Sequence, residues 1–136
     1  MNGIRTRRVY EPPAPEDGAR LLVDRLWPRG VKKERLRLAG WLKELAPSVA
    51  LCQWFDHDRA RWKEFQRRYT AELEKNPKAW RPILQAARDG NVTLLFATTD
   101  AEHNNAAALK AFLERKLAGR KSAVARRARS VAEALP

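Results

Sequence analysis

Three short stretches of this chain hold its acid, base and imidazole chemistry. The first, Leu21 to Gly30, reads Leu-Leu-Val-Asp-Arg-Leu-Trp-Pro-Arg-Gly. An apolar run feeds straight into Asp24 and Arg25, and rigid Pro28 with permissive Gly30 sets the turn that carries Arg29. Acid and base at the end of a buried strand are costly unless paired or put to use. They read either as an internal ion pair sealing the strand end or as one wall of an anion-binding pocket. Arg25 and Arg29 would then supply planar, bidentate donors.

The second stretch is Asp56-His57-Asp58. Either aspartate could orient the ring of His57, although Asp58 also reads as a helix cap and His57 as a surface histidine. The third runs from Thr98 and Thr99 through Asp100 to His103, Asn104 and Asn105. His103 is expected on the first turn of a helix, as a proton acceptor or as a hydrogen-bonded residue packing the corner. Free N–H groups at that helix start, with Asn104, add a second anion contact. An enzyme built from these parts would use His57 or His103 as general base and Asp24 or Asp100 as orienting carboxylate. The arginines would stabilise charge. The same histidines and aspartates are suitable metal-ligand types, but no HxxxH, HExxH or CxxC spacing is present, so no metal is expected. There is no P-loop, GxGxxG or nucleophile elbow either, and no cofactor is indicated. Cys52, in an apolar run, reads as a buried small hydrophobe.

The elements that must place these residues follow from the apolar pattern. Arg7 to Tyr10 reads as a first strand, stopped by Pro12-Pro13-Ala14-Pro15. Arg20 to Trp27 reads as a second, buried on both faces. Lys32 to Leu45 reads as a helix interrupted by Gly40, and Val49 to Phe55 as a third strand. Arg59 to Lys75 is the clearest helix, with Trp62, Phe65, Tyr69 and Leu73 at helical spacing and Asn76-Pro77 as its stop. Trp80 to Arg88 is a further helix closed at Gly90. Val92 to Ala97 is the best strand. Thr99 and Glu102 match a capping box for a helix to about Leu117, which Gly119 breaks. Ser122 to Leu135 reads as a last helix. Strands alternating with helices predict an α/β fold, one compact domain with a small, mainly parallel sheet. In such sheets ligands bind beyond the carboxyl ends of the strands. That rule would gather all three stretches at one edge.

Composition sets the outer limits. The 136 residues suffice for one domain with one core, and 44% are apolar. No apolar run approaches the ~18 residues of a membrane span, and Met1 to Glu11 shows no signal region. A single cysteine fits a reducing cytoplasm. The net charge is +12. Residues 115–136 carry seven bases against one acid, +6, half of the total. The division expected is therefore an α/β domain over 1–118 and a basic Ala/Arg-rich tail over 119–136. Arg120, Lys121, Arg126, Arg127 and Arg129 offer that tail as a handle for nucleic acid, although no recognised nucleic-acid-binding pattern accompanies them.

Further strings stand out along the chain: Arg8-Val9-Tyr10, Asp17-Gly18-x-Arg20 and Val23 to Gly30. They continue through Ala46-Pro47-Ser48, Trp54-Phe55-x-His57-Asp58, Arg61-Trp62-x-x-Phe65, Arg68-Tyr69-x-x-Glu72-Leu73 and His103-Asn104-x-Ala106. In these strings the chain shows a resemblance to the YeaO-like family of uncharacterised bacterial proteins. The resemblance spans roughly Ile4 to Leu117 and implies a compact α/β domain with no established activity. The chain departs from the family pattern at Arg59, where the pattern has proline, and at Cys52, where it has a basic residue. A thiol the family does without is a poor candidate for a nucleophile. Two functions fit these residues. One is a pocket at the strand ends for a small anion (phosphate, nucleotide or carboxylate), either as a binding site or as the active site of an enzyme. The other is non-catalytic nucleic-acid binding through the tail.

Overall fold

The computed structural model of the chain describes the backbone of residues 3–134 and the side chains of residues 3–119. Among these, four strands form one parallel sheet: β1 (Ile4–Arg8), β2 (Ala19–Leu22), β3 (Gly40–Trp41) and β4 (Val92–Phe96), in the order β1-β4-β2-β3. The helices are α1 (Lys33–Leu36), α2 (Val49–Phe55), α3 (Trp62–Glu74), α4 (Pro77–Asp89) and α5 (Asn105–Ala134). The α/β class with a parallel sheet is thus as the sequence implies.

The two faces of the sheet are covered differently. Ile4, Leu21, Val92, Leu94 and Phe96 pack with Phe65, Tyr69, Ile83, Leu109 and Phe112 of the long helices. Leu22 and Leu95 point the other way, onto Leu36, Trp27 and Trp41. Every residue of β4 is buried, and all but Thr93, whose hydroxyl donates to the Asp17 carbonyl, are apolar, as a strand covered on both sides requires.

Several elements differ from the sequence reading. Lys32 to Leu45 is not one helix. Only one turn forms, Arg37 adopts a left-handed conformation with φ 48°, and Gly40–Trp41 joins the sheet opposite Leu21–Leu22. Val49 to Phe55 is a helix, not a strand. Ser48 caps it by accepting the Leu51 N–H at 3.2 Å, and Leu51 and Phe55, four residues apart, are its buried pair. The expected capping box at Thr99 and Glu102 does not form. Asp100 takes the Glu102 and His103 N–H groups, and Asn104 caps α5 through the Ala107 N–H at 2.8 Å. The chain also passes through Gly119 as continuous helix. The tail side chains Arg120, Lys121, Arg126, Arg127 and Arg129 lie outside the described side chains.

Candidate functional site

A cleft of about 360 Å³ opens at the carboxyl ends of β2 and β4. Its polar lining includes Asp24, Arg25, His57, Thr98, His103 and Asn105. Its apolar wall includes Leu26, Pro47, Phe55 and Phe65. Three stretches far apart in sequence therefore share one opening. Two of them follow β2 and β4, where the rule for parallel sheets leads one to expect a ligand, whereas His57 arrives from the end of the helix α2 and not from a third strand.

Asp24 sits one residue beyond Val23, whose N–H extends the β2–β4 ladder to the Leu95 carbonyl. The carboxylate accepts the Ala97 N–H at 2.9 Å and the Asn105 side-chain amide at 3.0 Å, while the Asp24 carbonyl receives the Trp41 indole. Burial pushes this carboxyl above its usual range, against the pull of those two hydrogen bonds. No ion pair joins Asp24 to Arg25 among the described residues. Arg25 donates to the Pro47 carbonyl at 2.9 Å and is otherwise exposed. Of the two readings of this pair, the internal ion pair does not form, and neutral donors hold Asp24 instead. Asn105, which the sequence places in the third stretch without a role of its own, turns out to hold Asp24. Its amide bridges the Val23 carbonyl and the Asp24 carboxylate, joining the start of α5 to the end of β2.

Arg29 is not among the residues that line the cleft. Trp27 packs edge-on against Trp41 behind the sheet, with centroids 5.3 Å apart, and Pro28 is buried. The string therefore divides at Leu26. Asp24 and Arg25 stay with the cleft, and Arg29 is exposed, its carbonyl taking the Tyr10 hydroxyl.

His103 and Asp100 do come together. His103 Nδ1 lies 3.1 Å from Asp100 Oδ1, and Arg59 Nε holds Asp100 Oδ2 at 3.0 Å. Burial opposes ionisation of Asp100. The His103 ring, two backbone N–H groups and Arg59 outweigh it and hold the carboxyl well below its usual range. Asp100 can thus fix the tautomer that leaves His103 Nε2 as an acceptor. Trp62 meets the ring edge-on at 5.3 Å. His103 precedes α5 rather than sitting on its first turn. Asn104 lines the cleft, but both ends of its amide are engaged, on Ala107 N–H and on the Asp100 carbonyl at 2.7 Å. It acts as the cap of α5, and one of its two amide N–H donors is used on the Asp100 carbonyl.

His57 follows Asp56, and both have positive φ, 55° and 46°. Two successive left-handed residues without glycine are strained. They turn the chain sharply after α2 and set His57 at the cleft. Asp58 caps the next turn through Ala60 N–H at 3.0 Å and does not hold the imidazole. Cys52, expected buried, is exposed and lines the cleft. Partial burial of the sulfur pushes the thiol up; Arg25 opposes this and the carboxylates of Glu72 and Asp24 add to it. It is protonated at neutral pH, which suits a wall better than a nucleophile. Among the described residues no three His, Cys, Asp or Glu side chains gather closely enough to hold a metal ion.

The described wall is pinned from behind. Ser48 N–H and hydroxyl both bond Glu72, at 2.8 and 2.6 Å, and the buried Tyr69 hydroxyl donates to the Leu45 carbonyl. These are residues of the strings that carry the resemblance. A family model described as the inactive DUF488-N3 subclade matches residues 3–132. The chain belongs to this family. Its relatives include the uncharacterized protein YeaO of Escherichia coli, 37% identical over 81% of this chain and 96% of that protein. The uncharacterized proteins Mb3100c of Mycobacterium bovis and Rv3073c of Mycobacterium tuberculosis are each 38% identical over 81% of this chain and 92% of their own. No solved structure matches. The family match extends through both the cleft and most of α5. Among the described residues no helix is long and apolar enough to cross a membrane.

Proposed function

We propose that the cleft binds a small ligand carrying an anionic group, and that this is the protein's role in a reducing cytoplasm. The observation that carries the reading is the convergence of Asp24, Arg25, His57 and His103 on one opening at the carboxyl ends of β2 and β4. Arg25 is the anion contact. His103, oriented by Asp100, offers a directed acceptor and is the group that would take a proton if the ligand were turned over. The family's description as inactive favours binding over turnover. The test is a thermal-shift screen of phosphates, nucleotides and carboxylates. A ligand at a hundredfold excess over its Kd adds about 2.7 kcal/mol of apparent stability. Arg25→Ala should abolish the shift. A screen in which no anion raises Tm overturns the reading.

A second reading is favoured by the single helix α5. Its 30 residues carry the basic segment without a break, over roughly 45 Å at 1.5 Å per residue. Such a rod could lie along a nucleic-acid backbone. Binding would fall steeply with salt and vanish on truncation after Ala118. Equal, poor binding by full-length and truncated chains at ~150 mM salt removes this reading.

A further inference from the structure

Resting on the cleft reading, we propose that the ligand is a zwitterionic α-amino acid with an apolar side chain, its ammonium on Asp24 and its carboxylate on Arg25. The two residues are consecutive and line the same cleft, yet they do not satisfy each other. Asp24 is held by two neutral donors, the Ala97 N–H and the Asn105 amide, one on each oxygen. Each oxygen keeps a further acceptor position. No cation pairs with this carboxylate among the described residues, so any charge it carries is half-buried and unneutralised. Burial already works against its ionisation, and an ammonium would reverse that.

Arg25 uses one N–H on the Pro47 carbonyl and keeps its other donors. A ligand that carries an ammonium and a carboxylate together can answer an acid and a base that are consecutive in the chain and line one cleft. A phosphate would instead bring up to two negative charges into the cleft that holds the Asp24 carboxylate. That argues for a carboxylate with its own cation. The side chain then has an apolar wall to lie on. Phe55 and Phe65 stack there at 4.5 Å, and Leu26 stands 77% exposed at the opening. A volume of about 360 Å³ is at the small end of ligand sites, roughly 300–1,000 Å³.

Calorimetric titration of the full chain at pH 7 tests this with four probes. These are L-phenylalanine, 3-phenylpropionate without the ammonium, phenethylamine without the carboxylate, and phenyl phosphate. The expected result is L-phenylalanine at least ~10-fold tighter than each of the others, about 1.4 kcal/mol. Asp24→Asn should bring it to the level of 3-phenylpropionate. The ranking on the unmutated chain stands even where that variant fails to fold. If 3-phenylpropionate or phenyl phosphate binds as tightly and Arg25→Ala removes it, the amino acid is wrong while the anion cleft survives. Phenethylamine binding as tightly overturns both the amino acid and the anion. Failure of all four overturns the amino acid and leaves the anion cleft to the wider screen.

Discussion

At the scale of single residues, Asp24 and Arg25 divide support from contact. Asp24 ties three pieces of chain together through Ala97, Asn105 and Trp41, whereas Arg25 makes one bond to Pro47. Asp24→Ala leaves the Ala97 N–H without an acceptor and the Asn105 amide with the Val23 carbonyl alone, but strands no cation. The expected loss is about 1–3 kcal/mol, below the ~3–5 kcal/mol of a broken buried ion pair. Arg25→Ala should stay within about 0.5 kcal/mol of the parent. Urea denaturation of both variants checks the contrast; equal large losses would make the segment a structural clasp. The pH dependence has a definite sign. A carboxyl raised in the fold favours folding most when protonated, so its contribution is present below the unfolded value and is lost as pH rises through the folded one.

At the scale of elements, the opposite end of the sheet is set by the turn before β2. Gly18 has φ 62°, and a Cβ there would meet the Asn91 carbonyl oxygen at 2.0 Å. The same carbonyl accepts the Ala19 N–H that starts the strand. Gly18→Ala must therefore break the turn or part β2 from β4, and a loss of at least about 2 kcal/mol is expected in thermal unfolding. At the site end, Asn104 is 4% exposed and caps α5 while bonding Asp100. Asn104→Ala should cost about 1–2 kcal/mol and weaken the His103–Asp100 contact. An NMR shift of the His103 ring alongside the stability loss is the readout. Loss of stability with an unmoved ring would show that the cap and the dyad are independent.

At the scale of the whole molecule, two features govern stability. Asp17 and Arg20 form a buried ion pair beneath the sheet, joined by Arg7 at 3.6 Å and by the Ala14 N–H at 2.9 Å. Burial opposes the charge on Asp17, but the Ala14 N–H, the Arg20 guanidinium and the charge of Arg7 outweigh it and hold the carboxyl low. Its contribution is therefore present above the unfolded value of 3.8 and is lost as pH falls below that. Acid titration of Asp17→Asn should show a flatter fall in stability below about pH 4 than the parent. The second feature is the unbroken α5. Gly119 has no positive φ and no atom that would crowd a Cβ. Gly119→Ala should raise stability by about 0.5–1 kcal/mol and increase helical circular dichroism. A decrease would mean that the helix breaks there.

Long, strongly periodic stretches were legible by themselves. The strand at Val92 and the helix carrying Trp62, Phe65, Tyr69 and Leu73 both follow from local pattern. So did the α/β class, because strand and helix periods alternate along the chain. Short segments were not legible. The Val49–Phe55 run fits strand and helix alike until Ser48 and Glu72 meet across the fold. Gly40–Trp41 becomes strand only because Leu21–Leu22 lies beside it. The partner of Asp24, the departure of Arg29 from the cleft and the exposure of Cys52 rest on contacts between residues distant in sequence. Local composition carries no trace of such contacts, since packing and hydrogen bonding across the fold, not propensity, decide where each side chain of a short segment ends.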